Sequence, residues 1–272
     1  MSKGTLFLVV TPIGNLSEIS KRSLDTLREA DVIACEDTRN TRKLLTHFDI
    51  HQKLIAYHKF NEEESTKGIL ALLEEGKNVA LVSDAGYPLL SDPGEILVRR
   101  VIEEEIPVTV CGGNNAALSA LLLSGLDTSH YLFYGFLNAK ATAMRKELEG
   151  LKEFPYTLIF YEAPHRIAKT LAACKDILGD PKAAVVREIS KIHEEALRGR
   201  LSDLMEREEW KGEIVLVIEG NHEEKKDDPA LLLHKVDELV RQGMRKKEAC
   251  GIVAEGTSFS KNQLYALYEK NE

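Results

Sequence analysis

One pattern dominates this chain: a short apolar run, a loop rich in Gly, Pro, Asp or Asn, then a helical stretch, over and over. Apolar runs bounded by turn residues read as buried strands. The runs at 6–10, 32–35, 78–83, 107–110, 131–136, 156–161, 183–187 and 213–220 all have this form. Helices are predicted over 20–30, where Leu24 and Leu27 share a face, from Asn61 to Glu75, from Asp92 onward, up to about Ser124, and over 140–152. Another follows Glu162–Arg166, with Ile167, Leu171, Cys174 and Leu178 on one apolar face. Asn61 with Glu64 three residues later reads as a variant capping box. Asp92-Pro93-Gly94-Glu95 reads as a helix start with Pro at N1 and Glu at N3. Alternation of this kind predicts an α/β fold with largely parallel sheets.

A chain of 272 residues has room for two such domains. The expected division is an N-terminal α/β domain over 1–112, a C-terminal α/β domain over 113–222, and a tail over 223–272. Residues 221–228 form a charged linker. Three helices are predicted beyond it, near 230–242, 245–255 and 260–270, broken at Gly243 and Gly256. This tail is helix-turn-helix-like. From Arg241 to Lys261 it carries five basic and two acidic residues, which fits either a packed accessory bundle or a nucleic-acid-facing unit.

Composition narrows the function. At 43% hydrophobic and 29% charged residues, the chain is an ordinary globular protein. The apolar run at 6–10 is too short for a secretory signal, and no run is long enough for a membrane helix. A cytoplasmic protein is expected. Its four cysteines form no CxxC, so neither a zinc site nor a disulfide framework is indicated. His47 and His51 have i, i+4 spacing, but no third ligand accompanies them, and no metal is expected. The net charge of −8 argues against a protein that binds nucleic acid mainly by charge.

In open α/β sheets, ligands bind beyond the C-terminal strand ends. Three unusual loops sit there: Thr11-Pro12-Ile13-Gly14-Asn15, Ser83-Asp84-Ala85-Gly86-Tyr87-Pro88, and Gly112-Gly113-Asn114-Asn115-Ala116. The third leads into a helix N-terminus, where free N–H groups can meet an anion. None matches GxGxxG or a P-loop, which disfavours a nicotinamide dehydrogenase or an NTPase. Asp84 follows a buried strand directly, and serves either an Asx-turn or a ligand. Glu36-Asp37-Thr38-Arg39 ends another strand; Asp37 or Thr38 can cap the next helix, on which Arg39 and Arg42 share a face suited to phosphate. His165 and Arg166 open a later helix, where a surface role and a catalytic one are both open.

Taken together, these segments resemble a known family. Thr11-Pro-Ile-Gly-Asn-Leu16, Glu36-Asp-Thr-Arg39, Ser83-Asp-Ala-Gly86, Ser91-Asp-Pro-Gly94, Phe160-Tyr-Glu-Ala-Pro-His-Arg166, Arg187-Glu188, His193-Glu-Glu195 and Gly212-Glu-Ile-Val-Leu-Val217 are similar to the ribosomal RNA small subunit methyltransferase I family, within the tetrapyrrole methylase superfamily. The resemblance covers about residues 5–220. It implies two α/β domains with S-adenosylmethionine in the cleft between them, a homodimer, and methylation of a cytidine ribose 2′-oxygen in the decoding region of 16S rRNA. The donor-binding segments it implies are Pro12–Gly14, Ser83, Asp84, Ala85 and Gly86, and Asn114, Asn115 and Ala116, with Tyr161 and Arg187 completing the cleft. Two positions depart from the family pattern. Tyr87 stands where Thr is usual. Cys111-Gly-Gly-Asn-Asn-Ala116 stands where Pro-Gly-Pro-Ser-Ala or Pro-Gly-Ala-Asn-Ala is usual.

For methyl transfer to a hydroxyl, a general base is expected. A carboxylate at Glu36 or Asp37 is the first candidate and His165 the second, with Glu162 also available. Arg39, Arg42 and Arg166 are expected to contact RNA phosphates. Two other readings stay open: a superfamily enzyme acting on a tetrapyrrole or other small molecule, and a non-catalytic nucleic-acid binder using the tail.

Overall fold

The computed structural model describes residues 2–221 and 228–271. These form two compact units that divide after Asn221; most of the linker expected at 221–228 lies outside the described residues.

The first unit begins with a five-stranded sheet. Its strands are β1 (Leu6–Val9), β2 (Val32–Cys35), β3 (Lys53–Ala56), β4 (Val79–Val82) and β5 (Val108–Cys111), in the order β3-β2-β4-β1-β5. All four pairings are parallel. Strands β2 and β4 are buried at every position, as expected of central parallel strands covered on both faces. Helices α1 (Lys21–Glu29) and α2 (Thr38–His47) cover one face through Leu27 and Leu45. Helices α3 (Glu62–Glu74) and α4 (Glu95–Glu103) cover the other through Ile69, Leu73, Leu97 and Val101. Neighbours β1 and β4 therefore send their helices to opposite faces, which opens a crevice at their C-terminal ends.

Helix α5 (Ala116–Ser124) leads into a second sheet: β6 (Tyr131–Phe136), β7 (Thr157–Glu162), β8 (Lys182–Arg187), β9 (Glu195–Arg200) and β10 (Ile214–Ile218), in the order β6-β7-β10-β8-β9. Only β6 and β7 run parallel; β10 enters antiparallel between β7 and β8, and β9 closes the edge antiparallel. This sheet is therefore mixed rather than largely parallel. Helices α6 (Ala141–Leu151), α7 (Ile167–Leu178) and the short α8 (Leu201–Leu204) pack on one face. Helix α5 packs on the other through Ala117, Ala120 and Leu121, together with Ile13 from the first sheet's loop.

Two expected helix starts differ. Asn61 makes no cap for α3; its Oδ1 accepts from the His58 N–H at 2.8 Å and its Nδ2 donates to the Ala56 carbonyl at 3.2 Å. Helix α4 starts at Glu95 with Gly94 as its N-cap at φ 138°, so Asp92 and Pro93 lie in the preceding loop.

The second unit is helical: α9 (Pro229–Arg241), α10 (Lys246–Ala254) and α11 (Lys261–Asn271). They enclose their own core of Leu232, Val236, Ala249, Cys250, Leu264 and Tyr268. Among the described residues no helix is long and apolar enough to cross a membrane.

Candidate active site

The strand-end loops are built on one another. Thr11 and Gly86 exchange backbone hydrogen bonds, at 3.0 Å from the Thr11 N–H and 3.1 Å from the Gly86 N–H. The buried Thr11 hydroxyl donates to the Ser83 carbonyl at 3.2 Å, and the Ser83 hydroxyl donates to the Gly86 carbonyl at 3.0 Å. Gly86 sits at φ 82°, a left-handed conformation that side chains resist. A Cβ there would also lie 3.2 Å from Ile13 Cγ2. Gly14 is required by a close approach instead, since a Cβ would meet Lys191 Cγ at 2.4 Å.

Beside this scaffold lies a cavity of about 410 Å³. The first sheet contributes Ile13, the 84–87 loop and Leu90–Asp92. The N-terminus of α5 contributes Asn115 and Ala116, and the second sheet contributes Phe136, Tyr161–Pro164, Ile189 and Gly212–Val215. Its described lining contains four carboxylates, Asp84, Asp92, Glu162 and Glu213, and no basic residue. The remaining wall is largely aliphatic and aromatic. A site of that size and character suits a small organic ligand carrying positive charge.

Each carboxylate has a distinct setting. Asp84 accepts from the Asn40 amide of α2 at 2.9 Å. Glu162 is buried; it accepts from the Thr170 hydroxyl at 2.5 Å and the Ala163 N–H at 2.8 Å, and pairs with Arg166 at 3.3 Å. Glu213 pairs with Lys191 at 3.1 Å. Burial, reinforced by the nearby charges of Glu36 and Asp84, pushes the Asp92 carboxyl up to about 6. Burial likewise raises the Tyr161 phenol, which lies edge-on to Phe133 and Phe136.

Of the residues singled out from the sequence, Asp84, Ala85, Gly86, Asn115, Ala116 and Tyr161 come together in the cavity wall. Asn115 also caps α5, its Oδ1 accepting from the Leu118 N–H at 3.0 Å. Ser83, Pro12 and Gly14 lie outside the described lining; Ser83 holds the Gly86 turn. Asn114 turns to Glu18, donating at 2.5 Å. Arg187 turns to the sheet edge, where it pairs with Glu195 at 2.6 Å.

The proposed catalytic and RNA-facing residues spread out further. Asp37 caps α2, accepting from the Arg39 N–H at 2.8 Å, and also pairs with the Arg39 guanidinium at 2.8 Å. The Arg39 hydrogen bonds hold its carboxyl down at about 2, so it is a weak base committed to a cap. Glu36 lies beside Asp92 but outside the described lining. His165 is exposed outside that lining. Arg42 is exposed on α2. Arg166 donates to the Leu137 and Asn138 carbonyls at 2.8 and 3.2 Å; with Glu162, this engages it in holding the β6 and β7 ends together.

Sequence reasoning assigned no ligand-facing role to Asp92 or to the Gly212–Val215 wall. A signal for Asp92 was available: the connection from Val82 to Glu95 holds twelve residues, twice the usual βα loop. Long loops at strand ends carry function. The two departures from the family pattern meet in space. The Tyr87 hydroxyl donates to the Gly113 carbonyl at 3.2 Å and accepts from the Gly113 N–H at 3.4 Å, bracing the loop that lacks a proline.

Residues 5–205 match the model for Tetrapyrrole (Corrin/Porphyrin) Methylases. Relatives named "Ribosomal RNA small subunit methyltransferase I" are similar over nearly the whole chain. The one from Halalkalibacterium halodurans is 44% identical, covering 98% of this chain and 96% of its own length. That of Bacillus subtilis is 42% identical, covering 97% and 94%. The chain belongs to the tetrapyrrole methylase family, in its ribosomal RNA small subunit methyltransferase I branch. Solved tetrapyrrole-methylase-type structures share the fold. Diphthine synthase aligns with TM-score 0.62 at 15% identity, covering 79% of this chain and 89% of its own. Uroporphyrin-III-C-methyltransferase from Thermus thermophilus aligns with TM-score 0.54 at 19% identity, covering 79% and 92%.

Proposed function

We propose that this methyltransferase takes the methyl group of S-adenosylmethionine and places it on the ribose 2′-oxygen of a cytidine in the decoding region of 16S rRNA. It would act in the cytoplasm as a homodimer on 16S rRNA or the small ribosomal subunit. The acidic cavity at the β1 and β4 ends carries this reading. The names of the close relatives support the RNA substrate.

The residues present fit the donor. When bound, S-adenosylmethionine supplies a methyl group on a positively charged sulfur, so it brings its own leaving group. Four carboxylates without a basic residue in the described wall favour that cation over a phosphate-bearing cofactor. Asp84 and Asn115 would bond its polar groups, Gly86 would let the backbone approach, and Tyr161, Ile189 and Val215 would pack its apolar part. The protein's chief task is alignment; well-oriented reactants gain roughly 7–11 kcal/mol. Outside the cavity, Arg42 and Arg39 on α2 are the proposed phosphate contacts. The homodimer is supported by α5, whose Leu118 and Leu122 are 43% and 74% exposed; a second copy is the proposed cover.

The direct test incubates the protein with labelled S-adenosylmethionine and either small subunits or bare 16S rRNA from a strain lacking the gene, then maps the label. Label on a cytidine 2′-oxygen is the expected result, and the preferred particle identifies the substrate. Donor binding without transfer to either would move the acceptor to a small molecule such as a tetrapyrrole. Loss of donor binding altogether would overturn the reading.

A further inference from the structure

Asp92 occupies a place in the cavity that its sequence context conceals. It lies in the loop between β4 and α4, whose backbone is held in an unusual form. Leu89 and Ser91 have φ of 72° and 70°, left-handed values that are costly for non-glycine residues and cluster at functional sites. The loop is pinned on both sides. The Gly94 N–H donates to Glu62 at 2.9 Å. Ser91 packs at the bulge of β6, where a Cβ on Gly135 would lie 3.4 Å from its hydroxyl. Asp92 is thereby carried to the cavity wall beside Asp84 and opposite Tyr161.

The surroundings of Asp92 decide what its carboxylate can do. Glu36, from the end of β2, and Asp84, from the end of β4, repel its charge; Lys59, from the turn before α3, and the Ser83 hydroxyl favour it. Tyr161 of β7 faces it from the second sheet. The balance brings its carboxyl to about 6. A group there is ionised at neutral pH yet far more basic than an ordinary carboxylate, the range in which general bases work best. Four other carboxylates are engaged: Asp37 caps a helix, Asp84 holds Asn40, Glu162 holds Thr170 and Arg166, and Glu213 pairs with Lys191; Glu36 lies outside the described cavity lining.

We infer that Asp92 is the general base that removes the proton of the ribose 2′-hydroxyl as its oxygen receives the methyl group. This rests on the function proposed above. The oxygen lone pair forms the bond to the methyl carbon, the carbon–sulfur bond breaks with its electron pair staying on sulfur as a neutral thioether, and the hydroxyl proton passes to the Asp92 carboxylate. Charge balances: a sulfonium cation and a carboxylate become a thioether and a carboxylic acid.

The test compares wild type, Asp92→Asn and Asp92→Glu in single-turnover methylation across pH, with donor affinity measured by calorimetry. The wild-type rate is expected to climb as pH rises through about 6 and then level off, as Asp92 ionises. Asp92→Asn is expected to lose about 10²–10⁴-fold in rate and the acidic limb, with donor Kd within about 3-fold of wild type. Asp92→Glu should recover part of the rate and keep a limb. The Asn variant is expected to fold, with a Tm at about pH 7.5 no lower than wild type, because the amide ends the repulsion from Glu36 and Asp84. Wild-type transfer to ribose with an unimpaired Asp92→Asn enzyme would overturn the base assignment alone. So would an Asn variant whose rate loss is matched by its loss of donor binding. Absence of ribose label from wild type would overturn the underlying function and this assignment with it.

Discussion

Tyr87 shows how a single side chain can substitute for a missing ring. Its phenol both donates to and accepts from the Gly113 backbone, so the loop before α5 is braced from outside. A hydrogen bond of this kind is worth about 0.5–1.5 kcal/mol net. Tyr87→Phe is therefore expected to weaken donor binding by about 2–10-fold while leaving the Tm nearly unchanged; calorimetry and a thermal melt separate the two. An unchanged Kd would mean that the loop holds its shape without the phenol. On α2 the two arginines differ. Both are exposed, but Arg39 is bound to Asp37. Arg42→Ala is expected to lower the salt slope of RNA binding by about one unit, and more than Arg39→Ala does. An identical slope in wild type and Arg42→Ala would remove Arg42 from the phosphate contacts.

Among the elements, α5 has the most to explain. It is mostly apolar, and its Ala117, Ala120 and Leu121, flanked by Ala116 and Leu123, meet the second sheet, which leaves Leu118 and Leu122 open. Leu122→Glu on the open side is expected to convert the proposed dimer into a monomer without lowering the Tm, as read by sedimentation. A sedimentation coefficient that stays put would locate the dimer contact elsewhere. Strands were legible from sequence in proportion to their burial. The runs that became β2 and β4 are buried throughout, and continuous apolar runs announce that. Strands β3 and β9, reading Lys-Leu-Ile-Ala and Glu-Ala-Leu-Arg-Gly-Arg, are partly exposed edges. Their charged residues guard an edge and erase the apolar signal. Asp92 reads as a helix cap in sequence because Asp-Pro-Gly-Glu has the local chemistry of one. The bulge at Gly135 and the carboxylate of Glu62, which position the loop, are distant in sequence. Arg166 follows the same logic, since its carbonyl partners belong to residues 137 and 138.

At the scale of the molecule, the division after Asn221 separates two cores. The cavity's described lining belongs to the first, and the tail encloses an apolar core of its own. A chain ending at Asn221 is expected to fold and to bind the donor with wild-type affinity. A drop of more than about tenfold, or 1.4 kcal/mol, would show that the tail completes the donor site. If RNA affinity falls while donor affinity holds, the basic residues of α10 become the place to look for nucleic-acid contact.

The insertion of β10 between β7 and β8 has a consequence for the chain while it is being made. Until residues 214–218 leave the ribosome, β6 and β7 form one ribbon, β8 and β9 another, and no strand pairing joins them. The parallel sheet of the first half has all its strands by residue 111 and can settle early. The far wall of the cavity, Gly212–Val215, arrives last of all. A nascent chain can thus own half a ligand site from the completion of Ala116 until Val215 is added, so that ligand capture reports completion of the first unit.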